Sequence, residues 1–169
     1  MRPAAAALAF LIISIGPSLA QQAPDWKHYQ DANYQFGVDI PYGLFMPSSD
    51  AGPKSGLSFS EVDGGGEIHV YGGNNTMGAD PAKLANILSA ADQVRTVTYK
   101  AGGGNWLVLS GYYKGDAGKP GGDLIFYTKL MFNPSRTALS AFEISYPKAE
   151  KSRMDPIVSR IETSLTPPK

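Results

Sequence analysis

The sequence contains no cysteine, which removes disulfides, thiolate nucleophiles and cysteine metal sites together. Small extracellular domains of eukaryotes usually carry disulfides, so an exported chain without them points to a bacterial periplasm. Histidine is nearly as scarce, with only His28 and His69. A serine–histidine–aspartate triad would have to use one of these two, and no Gly-x-Ser-x-Gly elbow accompanies them. The 19 glycines include no Gly-Lys-Ser/Thr, and Gly64 to Gly66 leads into a predicted strand rather than a helix N-terminus, so none of the clusters reads as a phosphate cradle. There is no excess of either charge: 15 Lys and Arg face 15 Asp and Glu. Such a balance lacks the basic stripe that binds a phosphate backbone, so nucleic acid is not an expected partner. The basic residues Lys148, Lys151, Arg153 and Arg160 read as the solvated face of a helix.

What is present starts with an export signal. Arg2, the apolar run Ala4 to Ile15 and the small-x-small site Ser18-Leu19-Ala20 fit a secretory leader cleaved between Ala20 and Gln21. The run is shorter than the ~20 residues a membrane helix requires, and Gly16-Pro17 interrupts it, so no stable membrane insertion is expected after cleavage. Residues 21–169 then form one domain, with Arg2 lost and one net negative charge.

Periodicity predicts an α+β domain: a twisted antiparallel sheet of about six to seven strands with helices packed on it. Strands are expected over Gln35–Ile40 (ended by Pro41), Gly56–Ser60, Glu67–Tyr71, Val94–Ala101, Asn105–Tyr113, Asp123–Phe132 and Ala138–Tyr146. Short or glycine-rich links among the last four favour antiparallel pairing. Asn105–Tyr113 is apolar on both sides, as expected of a strand buried on both faces. Asp80-Pro81 and Asp155-Pro156 each place a capping carboxylate before a proline at the first helical position. The stripes Leu84, Ile87, Leu88, Ala91 and Met154, Ile157, Val158, Ile161, Leu165 give each helix one face to bury. Trp26 and Tyr29 are expected on a short N-terminal turn or helix covering a sheet edge, and residues 47–56 and 114–122 read as loops, the second mobile.

Glu67, His69 and Tyr71 alternate with Ile68 and Val70, which puts a potential ligand pair on one face. Two ligands are fewer than zinc requires, so no metal or cofactor is expected, and a polar face on an edge strand is the plain reading. Tyr127 joins them as a strand tyrosine suited to a contact surface for peptide, sugar or protein, as Tyr99, Tyr113 and Tyr146 are, although tyrosine is also an ordinary residue of a packed strand. Lys129 and Glu143 are expected to face each other as a cross-strand ion pair, with Tyr127 opposite Ser145 and Met131 opposite Ala141, because a one-residue slip would move Glu143 into the apolar face.

Trp26-x-x-Tyr29, Asn33-Tyr34-Gln35-Phe36-Gly37-Val38-Asp39-Ile40-Pro41 and Ile68-x-Val70-Tyr71-Gly72 resemble a group of small exported bacterial proteins of unknown function. Asn105-Trp106-x-Val108-x-Ser110-Gly111-Tyr112, Phe142-Glu143-Ile144-Ser145-Tyr146-Pro147 and Asp155-Pro156-Ile157-Val158-x-Arg160-Ile161 carry the same resemblance, which spans most of residues 21–169. The aromatic and glycine entry into a first strand ending in proline, with a final amphipathic helix, is similar to the PsbP-like α/β/α sandwich. That resemblance implies an accessory or binding module rather than an enzyme, and it brings no site residues with it. PsbP proteins assist a photosynthetic oxygen-evolving complex, and nothing in this chain points to that partner. The expected function is a non-catalytic contact with another exported protein or envelope component. The alternative is small-ligand binding or hydrolysis at the polar face around Glu67 and His69. Mass and N-terminal analysis of protein recovered from its own host should find a chain starting at Gln21; a stable soluble form retaining Met1 would refute the leader.

Overall fold

The computed structural model describes residues 24–48, 56–91, 94–114 and 122–169. The Ala20/Gln21 junction and most of the loops at 47–56 and 114–122 lie outside them.

Among the described residues nine strands form one mixed sheet in the order β1-β2-β3-β4-β5-β9-β8-β7-β6. They are β1 Asp25–Gln30, β2 Gly37–Tyr42, β3 Phe45–Pro47, β4 Gly56–Glu61, β5 Glu67–Asn74, β6 Arg95–Gly103, β7 Trp106–Tyr113, β8 Leu124–Phe132 and β9 Ala138–Pro147. All pairs are antiparallel except β2 with β3, which meet in parallel at Tyr42 and Phe45 alone. Two strands were not anticipated. The segment carrying Trp26 and Tyr29 is not a turn or helix over an edge but the edge strand β1, laddered to β2 from Asp25↔Tyr42 to Gln30↔Gly37. β3 is three residues long, too short for a period to show. Pro41 lies inside β2 rather than ending it: except at Tyr42, β2 is laddered along one side only, so a residue without an N–H is accommodated on the other.

Helix α1, Pro81–Ala91, starts as expected, with Asp80 Oδ1 accepting from Lys83 N at 2.7 Å. Helix α2, Lys151–Ser164, does not. It begins before Asp155-Pro156, after a 3₁₀ turn over Lys148–Glu150, and Pro156 sits inside it. Asp155 is no cap: both its oxygens take Lys151 Nζ at 2.7 Å, one turn earlier. Met154, fully buried, has to be on the helix for its side chain to join the α2 stripe, and that contact outweighs the backbone bond lost at Pro156.

The helices seal opposite faces. Met154, Ile157, Val158, Ile161 and Leu165 pack with Phe36, Val38, Ile40, Ile68, Val70, Phe142 and Ile144. Leu84, Ala85 and the partly buried Leu88 pack with Leu107, Leu109, Phe126, Leu130 and Ala141. α2 lies on β2 and β9, whereas α1 lies on β6 and β7. Each helix therefore covers about half of its face. The C-terminal tail returns to the first strands: Thr166 N donates to Gly37 O at 2.9 Å and Lys169 N to Tyr34 O at 3.1 Å, while Ser140 Oγ donates to Thr166 O at 2.7 Å.

The β8–β9 register differs from expectation by one residue. Thr128 faces Glu143 and Lys129 faces Phe142, so Lys129 and Glu143 are on opposite faces and no cross-strand pair exists. Lys129 Nζ instead donates to Glu162 O on α2 at 2.9 Å. The expected register rested on the cost of an unpaired carboxylate in an apolar face, but Glu143 is paired there, by Arg95.

Glu61 is an enclosed charge. Its side chain is 2% exposed, accepts from Arg153 and from Gly66 N at 3.0 Å, and so closes the glycine turn while tying β4 to α2. A Cβ on Gly64 would lie 2.1 Å from Glu61 Oε2, which explains a residue without a side chain there.

Two stability outcomes follow. Arg153→Met should cost about 3–5 kcal/mol by leaving the Glu61 carboxylate unpaired, and pairing it with Glu61→Gln should recover part of that loss. Denaturant midpoints of both variants test this, and an unchanged Arg153→Met midpoint would contradict it. The second concerns the tyrosines. Burial, chiefly, pushes Tyr71, Tyr113 and Tyr146 up from 10.0 to about 12 and raises Tyr127 further. Below pH 10 these phenols are protonated in both states and contribute no pH dependence. Above it the unfolded chain ionises first, so stability falls as pH rises toward 12. Unfolding midpoints across that range should decline, and less steeply in Tyr71→Phe; a flat profile would refute the assignment.

Candidate functional site

The face that carries α1 over β6 and β7 continues, without that helix, over β8, β9, β5 and β4. Odd-numbered residues of β5 and β9 point to it, as do even-numbered residues of β8 and β4. This follows from the pairs His69↔Glu143, Ser58↔His69 and Thr128↔Glu143. The alternation predicted for β5 is the one observed, with Ile68 and Val70 buried and Glu67, His69 and Tyr71 on the other side. β5 is, however, the fifth strand of nine and not an edge.

Of the six residues singled out from the sequence, the structure assembles four. Glu67, His69, Tyr71 and Glu143 share this open half-face. Tyr127 and Lys129 lie on the opposite one: Tyr127 stacks on Phe142 at 5.9 Å between ring centroids, and Lys129 is held by α2. Alternation sorts residues within a strand but not between strands, which is why the two groups were merged.

The patch has a charged centre and a hydrogen-bonded rim. Glu143 Oε2 accepts from Arg95 Nη1 at 2.6 Å and from Thr128 Oγ1 at 2.8 Å, and Oε1 accepts from Tyr113 Oη at 3.3 Å. The Arg95 guanidinium lies 4.5 Å from the Phe126 ring centroid, so its charge is held by a carboxylate and an aromatic face together. Glu143 and Arg95 are only 19% and 22% exposed. Burial, then the Glu143 charge, pushes both Tyr71 and Tyr113 up to about 12, against the opposing influence of Arg95. Both phenols therefore remain neutral donors at ordinary pH. Arg95, Thr128 and Ser58 were not picked out from the sequence, and Tyr113 only as one of several strand tyrosines, because only the strand order brings β4, β6, β7 and β8 around β5 and β9.

Beside that centre, His69 Nδ1 is 2.9 Å from Ser58 Oγ, and His69 Nε2 is 3.6 Å from Glu67 Oε2. A hydroxyl, an imidazole and a carboxylate in a chain are the groups of a nucleophile relay. Ser58 is only 7% exposed, so a substrate carbonyl has no ready approach to its Oγ. Among the described residues no three His, Asp or Glu side chains converge as a metal site would require, and every buried side-chain polar atom has a hydrogen-bond partner. His28, the other histidine, is on β1 with Nδ1 2.9 Å from Asp39 Oδ1, half-exposed and remote from the patch in the strand order. No described helix is long and apolar enough to cross a membrane.

No family model matches the chain, and no curated protein does. Solved structures do. The cyanobacterial PsbP (CyanoP) of Synechocystis sp. PCC 6803 superposes with a TM-score of 0.56 at 12% identity, covering 90% of this chain and 98% of that one. The Ran-binding protein Mog1p of Saccharomyces cerevisiae gives 0.58 at 8% identity over 85% and 96%. A Pseudomonas aeruginosa protein of unknown function, PA94, gives 0.50 at 10% identity over 85% and 98%. At these identities the likeness is one of fold: a mixed sheet with two helices, of the architecture of PsbP and Mog1p, of which the PsbP-like part is what the sequence resembled.

Proposed function

We propose that the chain is a non-enzymatic accessory module of the bacterial cell envelope that binds another exported protein or envelope component through the open half-face around Glu67, His69 and Glu143. The observation that carries this reading is a polar and aromatic surface held on central strands with no helix of the described residues packed on it. Arg, Tyr and ordered ion pairs are the groups from which protein interfaces draw their anchors. Tyr113 and Arg95 are held by Glu143, so docking would immobilise little that is not already ordered. Glu67, 55% exposed, is the outlying charge that a partner would meet first. Among proteins of this fold Mog1p is a Ran-binding protein, which makes a protein partner compatible with the architecture.

The Ser58–His69–Glu67 chain favours a second reading, a small ligand or hydrolytic substrate held at His69. Its discriminator is a saturable ligand-induced thermal stabilisation that disappears in His69→Ala.

The two separate in one experiment. A photo-crosslinking side chain at position 67, in protein expressed in the periplasm, should give a discrete adduct of constant mass that falls several-fold when His69→Asp is added. The same group at position 83, exposed on α1, should give none. No adduct at 67, or equal adducts at both positions, would refute the protein-contact face.

A further inference from the structure

The opposite face has its own open half, where α2 stops short of β8, β7 and β6. A cleft of about 460 Å³ runs there between the helix and the sheet edge, within the size range of small-ligand sites. Its floor is β7 and β8 with Tyr146 of β9; one wall is α2, and the other is the β6 edge strand at Thr98 and Tyr99. Four tyrosines, Tyr99, Tyr112, Tyr127 and Tyr146, line it.

Tyr99 is there because the strand is irregular. Val97 pairs with Gly111 and Tyr99 with Ser110, leaving Thr98 as the extra residue of a bulge. In a regular ladder Thr98 would oppose Ser110, and Tyr99 would point to the α1 face. The inserted residue turns Tyr99 to the cleft side instead. Gly111 permits the bulge: a Cβ there would lie 1.9 Å from Thr96 O, so the bulge and a side chain at 111 exclude each other. The outcome is a tyrosine 56% exposed above a floor of the partly buried Tyr112 and Tyr127 and the buried Tyr146, a placement that core packing does not require.

The charges along the helical wall cancel. Lys151 holds Asp155 through both oxygens, and Lys129 lies 3.6 Å from Glu162 Oε1. Among the described residues of that wall a cationic ligand finds no unbalanced carboxylate and an anionic one no unbalanced ammonium, and the nearby Lys148 ammonium lies over the Tyr112 ring, 5.6 Å from its centroid, beyond the wall itself. An extended peptide adding to the β6 edge would meet the bulge, which breaks the pairing register that strand addition needs. Flat aromatic faces beside hydroxyls and paired carboxylates suit a ring that is apolar on its faces and hydroxylated at its edge.

We propose that this cleft binds a neutral oligosaccharide, with a sugar ring stacked on Tyr99 and its hydroxyls bonded along α2 at Asp155, Ser159 and Glu162. The site is separate from the face around His69 and stands or falls independently of it. Purified protein titrated with chitotetraose, cellotetraose and maltotetraose, followed by amide NMR, should show saturable shifts in β6, β7 and the α2 wall for at least one of the three. Tyr99→Ala should weaken that binding roughly tenfold or more with an unchanged melting temperature, since the ring is largely exposed, while Tyr99→Phe should keep most of it. The proposal is overturned by no saturable shift with any of the three sugars, by shifts that survive Tyr99→Ala, or by a saturable response to a lysine-rich peptide in their place.

Discussion

A carboxylate four-fifths covered on an inner strand of a sheet has to be neutralised where it stands, because little water reaches it. Glu143 is such a group. It sits on β9, between β5 and β8, in a strand whose neighbouring residues Phe142 and Ile144 are fully buried on the other side. Arg95 reaches it from β6, three strands away in the sheet order, crossing above Phe126. That contact ties the far edge to the centre and makes the β8–β9 register tolerable. It also orients Tyr113 and Thr128. Without it the α1 face would hold an isolated charge, and the alternative register would be the cheaper one.

The second organising feature is the offset of the helices. α2 covers the half of one face nearest β2 and β9, and α1 covers the half of the other nearest β6 and β7. Two quarters on which no described helix packs remain, diagonal to each other. One holds the Glu143 network, the other the tyrosine cleft. Both are built on strands whose opposite sides are packed, so their side chains are held by core contacts rather than by loops.

Much of this was legible in the sequence, for reasons that can be named. A cap is a local device, so Asp80 announced α1. The α2 stripe from Met154 to Leu165 has a helical period, and its burial followed. β5 alternates cleanly between Ile68 or Val70 and Glu67, His69 or Tyr71, so its faces were assigned correctly. What failed depended on relations between strands. β8 and β9 are apolar on both sides, so the pattern that selects a register elsewhere was nearly degenerate, and a distant Arg95 decided it. Pro156 resembled a helix start because proline is favoured there, yet the buried Met154 extends the helix backward past it. The bulge at Thr98 has no signature in the sequence except Gly111 on the facing strand, and with it the cleft was out of sight.

The tail after α2 has a consequence for how the chain becomes a protein. Thr166 and Lys169 bond to the backbone of Gly37 and Tyr34, and Asp39 N is held by Ser164 Oγ at 2.8 Å. The earliest strands are thus secured by the final residues, and β5 waits for β9 before it has a partner on its second side. Such closures lie far apart along the chain, and the entropy of bringing the ends together must be met before any of these contacts forms. The hairpin of β1 and β2 therefore gains the bonds along its outer side only when residues 164–169 are present to make them.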